Sequence, residues 1–253
     1  MLTSILKVGG NDLDDPAFVA ELARVVARMH PRPVLVHGGG KEIGVVQQLL
    51  GGEPRFVAGL RVTDAAALQA AEMVIRGTVN TRLVAALLAA GVDAQGLSGV
   101  DRGLIRVERL VHPAGDLGRV GRPVAVRVEL LRALLEQDVV PVIAPISLGP
   151  DGSYNVNADE AAAAIAVAFQ SAEIVFVTNV PGVRVGDAVL PELHAARVAE
   201  LIADGTISGG MIPKVQAALT ALDAGVGTAR IVDLIGLNSA GGTTFRVTNR
   251  NNS

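Results

Sequence analysis

Short runs rich in Val, Ile and Leu alternate with longer Ala/Leu/Val-rich runs along almost the whole chain, and four of the short runs end in a cluster containing glycine or proline. That rhythm leaves few solutions. Parallel strands need crossover connections, usually helical, so the strands gather in one mainly parallel sheet with helices on both faces. Strands are expected at residues 3–8, 33–37, 93–97, 139–144, 173–178 and 229–232. Helices are expected at 16–29, 41–50, 128–137, 159–170, 195–204 and 212–224. In the first helix Phe18, Leu22, Val25, Val26 and Met29 recur close to a 3–4 spacing. Thr63 reads as the N-cap of a long helical stretch to Ala90, with a break at Gly77. Between Gly99 and Arg127 the character changes. Apolar–polar alternation from Ile105 to Leu110 predicts half-exposed antiparallel hairpins. After Val232 a polar tail is expected. The fold class is therefore α/β: a three-layer αβα sandwich around a mainly parallel open sheet, with β-hairpins in the N-terminal half. Ligands in such sheets bind beyond the carboxyl ends of the strands. The clusters after Val8, His37, Ala144 and Thr178 fall there.

Composition excludes several classes. With 50% hydrophobic and 19% charged residues, 253 residues are too apolar for disorder and long enough to bury a core. No apolar run approaches the ~18 residues of a membrane span. No secretory leader precedes Gly9 and Gly10, so a cytoplasmic location is expected. Cysteine is absent, which removes disulfides, thiol catalysis and Cys-zinc sites. His30, His37, His112 and His194 show no metal-ligand spacing, so no protein-held metal is expected. His37 reads as a satisfied loop histidine and Tyr154 as packing. A net charge of −3 provides no field for nucleic acid.

Of 22 basic residues only Lys7, Lys41 and Lys214 are lysine; the other 19 are arginine. All three lysines lie beside glycines. A chain that uses Arg for its solvated cations keeps Lys where a compact charge is needed and a planar fork will not serve.

A glycine loop between strand and helix exposes N–H groups to phosphate or carboxylate. The run Gly38, Gly39, Gly40 alone is equally a tight turn. It is not a Walker loop, because Glu42 follows Lys41 and Leu35 occupies the first glycine position. Nor is it a dinucleotide fingerprint, because Ile43 occupies the third glycine position. Asn157 suits a helix N-cap, with Glu160 reaching back from N3 and Asp159 in the first turn. Pro213 suits the first position of a later helix, which puts Lys214 in its first turn. A cation there opposes the helix dipole unless an anion binds beside it. Arg61 reads from its own surroundings as a surface residue, with a carboxylate clamp as the alternative.

Taken together, Lys7-Val8-Gly9-Gly10, Val36-His37-Gly38-Gly39-Gly40, Gly59-Leu60-Arg61-Val62-Thr63, Gly96-Leu97-Ser98-Gly99, Asn155-Val156-Asn157-Ala158-Asp159, Val180-Pro181-Gly182-Val183 and Gly209-Gly210-Met211-Ile212-Pro213-Lys214 resemble, in order, the motifs of the amino acid kinase family. The resemblance implies a kinase with a carboxyl acceptor, using ATP with Mg²⁺ to phosphorylate the γ-carboxylate of N-acetyl-L-glutamate in arginine biosynthesis. It implies that Lys7 and Lys214 stabilise the transferring phosphoryl group and that Asp159 orients them. Amides of Gly9, Gly10 and Gly39 would cradle phosphoryl oxygens. Gly39, Gly40, Arg61, Asn155 and Asn157 would hold the acetylated amino acid, with Arg61 on its α-carboxylate. Thr178, Asn179, Gly182, Ser208, Gly209 and Gly210 would face the nucleotide. Mg²⁺ would ride on the ATP phosphates. One domain, 1–253, is expected. Its lobe 1–147 would bind the amino acid and carry a homodimer interface, and its lobe 148–253 would bind ATP. Because six residues precede Lys7, the dimer is expected to be insensitive to arginine.

Two departures accompany the resemblance. Asn179 stands where many relatives carry Asp, and the segment 233–243 is short enough to lack the last helix before the closing Gly-Thr. The alternatives are a kinase for aminoadipate or glutamate carried on a protein, and a nucleotide-binding regulator without catalysis. Retention of Lys7, Asp159 and Lys214 argues against the second.

Overall fold

The structure is a computed structural model that describes residues 3–239 and 241–246. In the first half lie β1 (Ser4–Val8), α1 (Pro16–Ala27), β2 (Val34–His37), α2 (Glu42–Leu49), β3 (Phe56–Val57), β4 (Leu60–Arg61), α3 (Ala65–Ala71), α4 (Asn80–Ala89), β5 (Ala94–Gly99), β6 (Ile105–Arg109), β7 (Gly121–Val126) and α5 (Val128–Leu135). In the second lie β8 (Val140–Gly149), β9 (Gly152–Asn155), α6 (Ala158–Phe169), β10 (Glu173–Val177), β11 (Arg184–Val185), β12 (Ala188–Val189), β13 (Glu192–His194), α7 (Ala195–Ala203), α8 (Met211–Asp223), β14 (Thr228–Val232), α9 (Leu234–Leu237) and β15 (Thr243–Arg246).

The main sheet runs β13-β15-β14-β10-β1-β2-β8-β6-β7, with β5 and β9 also paired to β8. β1 is central and parallel to both neighbours, β10 and β2. The antiparallel pairs β6–β7 and β8–β9 are the hairpins read from the alternation. The nominal lobe boundary at 147/148 falls inside β8, and the sheet is continuous across it.

Each buried strand feeds two cores because successive side chains point to opposite faces. Ile5, Val34, Val36, Ile174, Phe176 and Ile231 pack with α6 and α8 residues such as Ala162, Ile165, Val215 and Ala218. Leu6, Val8, Leu35, Val175 and Val177 pack with Leu22, Val26, Leu83 and Leu87 of α1 and α4. Lys7 is two residues beyond Ile5, so its side chain belongs to the face covered by α6 and α8. The position of the ammonium group follows from strand period alone.

Four local expectations are corrected. The helix N-cap is Asp64, not Thr63: its side chain accepts from the Ala67 N–H at 2.8 Å. Gly77 does not break the helix, because residues 72–79 form a π-helical stretch that joins α3 to α4. A short helix, α9, does follow Val232, capped by Asp233, and β15 then pairs antiparallel with β14. The expected polar tail lies outside the described residues beyond 246. Finally, Pro213 is the third residue of α8, not the first. Its missing N–H still falls among the four that a helix start leaves without intrahelical partners.

Candidate active site

Three elements deliver the charged centre. Lys7 comes from β1, Asp159 from the first turn of α6 and Lys214 from the first turn of α8. Lys7 Nζ lies 2.9 Å from Asp159 Oδ1, and Lys214 Nζ lies 3.6 Å from Oδ2. One carboxylate thus holds two ammonium groups apart and aims both. Lys7 and Asp159 are each only 4% exposed, so water screens this cluster little. Burial opposes ionisation of Asp159, but Lys7 and Lys214 outweigh it and hold its pKa below the usual carboxylate range. Burial, and then repulsion from Lys7, draws the Lys214 pKa down.

Asn157 caps α6 as the sequence suggested. Its Oδ1 accepts from the N–H of Asp159 at 2.8 Å and of Glu160 at 3.4 Å, which fixes the backbone that carries Asp159. Among the described residues no return bond from the Glu160 carboxylate is present. Burial, reinforced by Asp159, raises the Glu160 pKa instead.

The glycine loops meet opposite this centre. A Cβ on Gly10 would lie 2.2 Å from Gly40 N and 2.7 Å from Gly39 N, so only glycine permits this approach. Gly40 also has φ +63°. The Gly9 N–H already donates to the Val177 carbonyl at 3.3 Å, so it is committed to the sheet edge. Among the described residues, the N–H groups of Gly10, Gly39 and Gly40 have no protein acceptor in this loop cluster. They form a small nest open to an anion.

The amino-acid side is also assembled. Asn155 Nδ2 donates to Thr63 Oγ1 at 3.2 Å, and that hydroxyl donates to the Arg61 carbonyl at 2.9 Å. Two motifs 92 residues apart are thereby joined. Arg61 stacks over Phe56 at 4.8 Å and donates to Gln47 Oε1 at 2.7 Å. It is ion-paired to no carboxylate among the described residues, and burial lowers its pKa. The guanidinium is positioned by neutral partners and keeps its charge for something else.

Thr178 ends β10, with its N–H donating to the Val232 carbonyl at 2.9 Å, and Asn179 beside it is exposed. Gly182 packs where a Cβ would meet Thr243 Oγ1 at 2.6 Å, and that hydroxyl accepts from the Val183 N–H. Its glycine is thus required by loop packing against β15. Ser208, Gly209 and Gly210 form the open turn before α8, with Gly209 at φ +54°. Lys41 is exposed on the first turn of α2 and joins no cluster, so of the three lysines it alone stays an ordinary solvated cation.

Sequence reasoning missed Asp12 and Asp14. They lie on a single 3₁₀ turn, Asp12–Asp14, directly after the first glycine pair. Burial raises the Asp12 pKa against the pull of Lys7 and Lys214. Asp14 Oδ2 accepts from the Lys41 N–H at 3.4 Å. Two acidic residues just beyond a Lys-Val-Gly-Gly strand end were the available signal. Among the described residues, no group of three Asp, Glu, His or Cys side chains is placed to hold a metal ion.

Comparison with known proteins agrees with this arrangement. A protein named acetylglutamate kinase from Roseiflexus sp. (strain RS-1) is 70% identical over 241 residues, covering 95% of this chain and 92% of the relative. Another of that name, from Methanopyrus kandleri, is 45% identical, covering 96% and 99%. The crystal structure of smu.665 from Streptococcus mutans UA159 superposes with a TM-score of 0.82 at 27% identity, covering 96% of this chain and 98% of that one. The family model described as the amino acid kinase family matches residues 3–233, which contain every charged and glycine group placed above. The chain belongs to the amino acid kinase family.

Proposed function

We propose that this enzyme transfers the γ-phosphoryl group of ATP to the γ-carboxylate of N-acetyl-L-glutamate, forming an acyl phosphate in arginine biosynthesis. The observation that carries the reading is the buried Lys7–Asp159–Lys214 cluster facing the nest of glycine amides. The names of the highly similar relatives supply the acceptor. A carboxylate is already ionised at neutral pH and needs no general base. The chemistry reduces to alignment and to neutralising charge on the transferring group.

In this reading a carboxylate oxygen of the substrate attacks the γ-phosphorus as the bond to the ADP oxygen breaks. Lys7 and Lys214 meet the charge on the non-bridging oxygens, and Asp159 keeps the two cations from separating. The free N–H groups of Gly10 and Gly39 contact the same oxygens. Gly40, Arg61 and Asn155 hold the acetylated amino acid, with Arg61 on its α-carboxylate, and Asn157 acts through the helix it caps. Thr178, Asn179, Gly182 and the 208–210 turn border the nucleotide. The 1–147 lobe serves the amino acid and 148–253 the nucleotide. Mg²⁺ arrives on the ATP phosphates, and no step is routed through a protein-held ion. The test is acyl phosphate trapped with hydroxylamine, dependent on both ATP and N-acetyl-L-glutamate. Hydroxamate formed only with a carrier-bound acceptor would overturn the choice of substrate.

Arg61→Lys is expected to raise the KM for N-acetyl-L-glutamate at least ~10-fold, with the KM for ATP nearly unchanged. A point charge does not reproduce two parallel bonds to a carboxylate. Steady-state kinetics with each substrate varied checks this, and a change confined to ATP would move Arg61 to the other subsite. The enzyme is further proposed to be a homodimer, with the exposed apolar side chains Met73 and Leu88 on the 65–89 helix in its interface. Light scattering should give twice the chain mass, and Met73→Glu should lower it. No helix among the described residues is long and apolar enough to cross a membrane.

A further inference from the structure

His37 ends β2 immediately before the glycine loop and is fully buried. Its Nε2 lies 2.9 Å from Asn80 Nδ2, and its Nδ1 lies 3.0 Å from the Gly38 carbonyl oxygen. Asn80 Nδ2 also lies 3.0 Å from the Val142 carbonyl oxygen. These contacts fix the protons by elimination. The Val142 carbonyl only accepts, so the Asn80 group facing it is the NH₂. The imidazole nitrogen facing that same NH₂ must accept, which leaves the ring proton on Nδ1. Nδ1–H therefore donates to the Gly38 carbonyl. Burial, with Lys7 adding to it, lowers the His37 pKa to about 4 and keeps the ring neutral.

The rest of the fold maintains this pair. Asn80 is the first residue after the π-helical stretch, which resets the phase of the long helix at that point. Gly96 on β5 leaves the necessary space, since a Cβ there would lie 2.0 Å from Asn80 Oδ1. A buried polar pair in an apolar core is costly unless satisfied, and each proton and lone pair named here has its partner.

In a trans peptide the C=O and the following N–H point in opposite directions. Holding the Gly38 carbonyl against the imidazole therefore turns the Gly39 N–H away from it, towards Gly10 and the open nest. We propose that His37, locked by Asn80 as the Nδ1–H tautomer, is a positioning residue that aims the Gly39 N–H at the transferring phosphoryl group. The inference rests on the proposed kinase reading for the identity of that group.

The test uses His37→Asn and His37→Gln. An Asn amide nitrogen can stand where Nδ1 stands, and a Gln amide nitrogen where Nε2 stands. His37→Gln is expected to lose ~10²-fold in kcat, the scale of one mis-aimed oxyanion donor. Its KM values should stay within about threefold of wild type. His37→Asn is expected to retain kcat within about tenfold, because it keeps the donor to Gly38. Equal kcat losses in the two variants would overturn the proposal. Nitrogen-15 NMR of wild-type His37 provides a measurement that needs no variant to fold: the Nδ1–H tautomer is expected across neutral pH, and the Nε2–H tautomer or a charged ring would overturn it. An inactive wild type in the hydroxamate assay would instead count against the kinase reading and leave the tautomer result standing.

Discussion

Lys214→Arg is expected to reduce kcat by ~10²–10³ while the protein stays folded. Lys214 sits at the start of α8, its Nζ 3.6 Å from Asp159 Oδ2, with its side chain 16% exposed. A guanidinium keeps the charge but spreads it over a planar fork, and in that space it would pair with Asp159 side-on. The positive centre would then face the carboxylate and not the phosphoryl oxygens. Loss of one well-aimed stabiliser of transition-state charge typically costs ~2.7–4 kcal/mol. The readout is steady-state hydroxamate formation alongside thermal unfolding. Activity within a few-fold of wild type, at an unchanged melting temperature, would remove Lys214 from the chemistry.

Asp159→Asn should damage stability as well as turnover. The substitution leaves Lys7 and Lys214 buried together with no counter-charge, and unpairing a buried ion typically costs ~3–5 kcal/mol. Saturating ATP should return part of that loss, because its phosphates supply the missing negative charge. The pH dependence has a definite sign. The folded-state pKa of Asp159 lies below its ordinary value, so its stabilisation is complete above the unfolded pKa of ~3.9. It is lost as pH falls through the folded pKa. Denaturant unfolding should therefore show wild type and variant converging below about pH 4 and separated at pH 7. A constant gap over that range would mean that Asp159 does not carry its charge in the folded protein.

The layered architecture was legible because strand and helix periods differ and the chain respects both. The charged triplet was legible for another reason: in an Arg-rich chain, lysines beside glycine loops stand out, and Lys7 and Lys214 do meet at Asp159. What escaped was carried by contacts that no local pattern encodes. A π-helical stretch differs from an α-helix by one residue of phase. Gly77 lies inside it with open space where a Cβ would stand, so that glycine marked no break and no close approach. Asp64 and Thr63 are both good caps, and only the direction of the chain decides between them. His37 could be read as satisfied, but its partner Asn80 lies 43 residues away and gave no sign of the pairing. The Gly9 amide looked free until the register of β1 with β10 placed the Val177 carbonyl against it.

The position of Lys7 also bears on how the gene can change. In β1 the face of a side chain is set by counting: Ile5 and Lys7 face α6 and α8, while Leu6 and Val8 face the other core. Deleting or inserting one codon between Ser4 and Lys7 would send the ammonium group into the apolar layer of Leu22 and Leu83, away from Asp159. Such a change cannot be compensated by substitution nearby, because both neighbouring strands hold β1 in register. Lineages carrying this fold should accept residue replacements along β1 while rejecting frame-preserving changes in its length. The exposed 111–116 turn, where Val111 is 90% exposed, should by contrast lengthen and shorten freely.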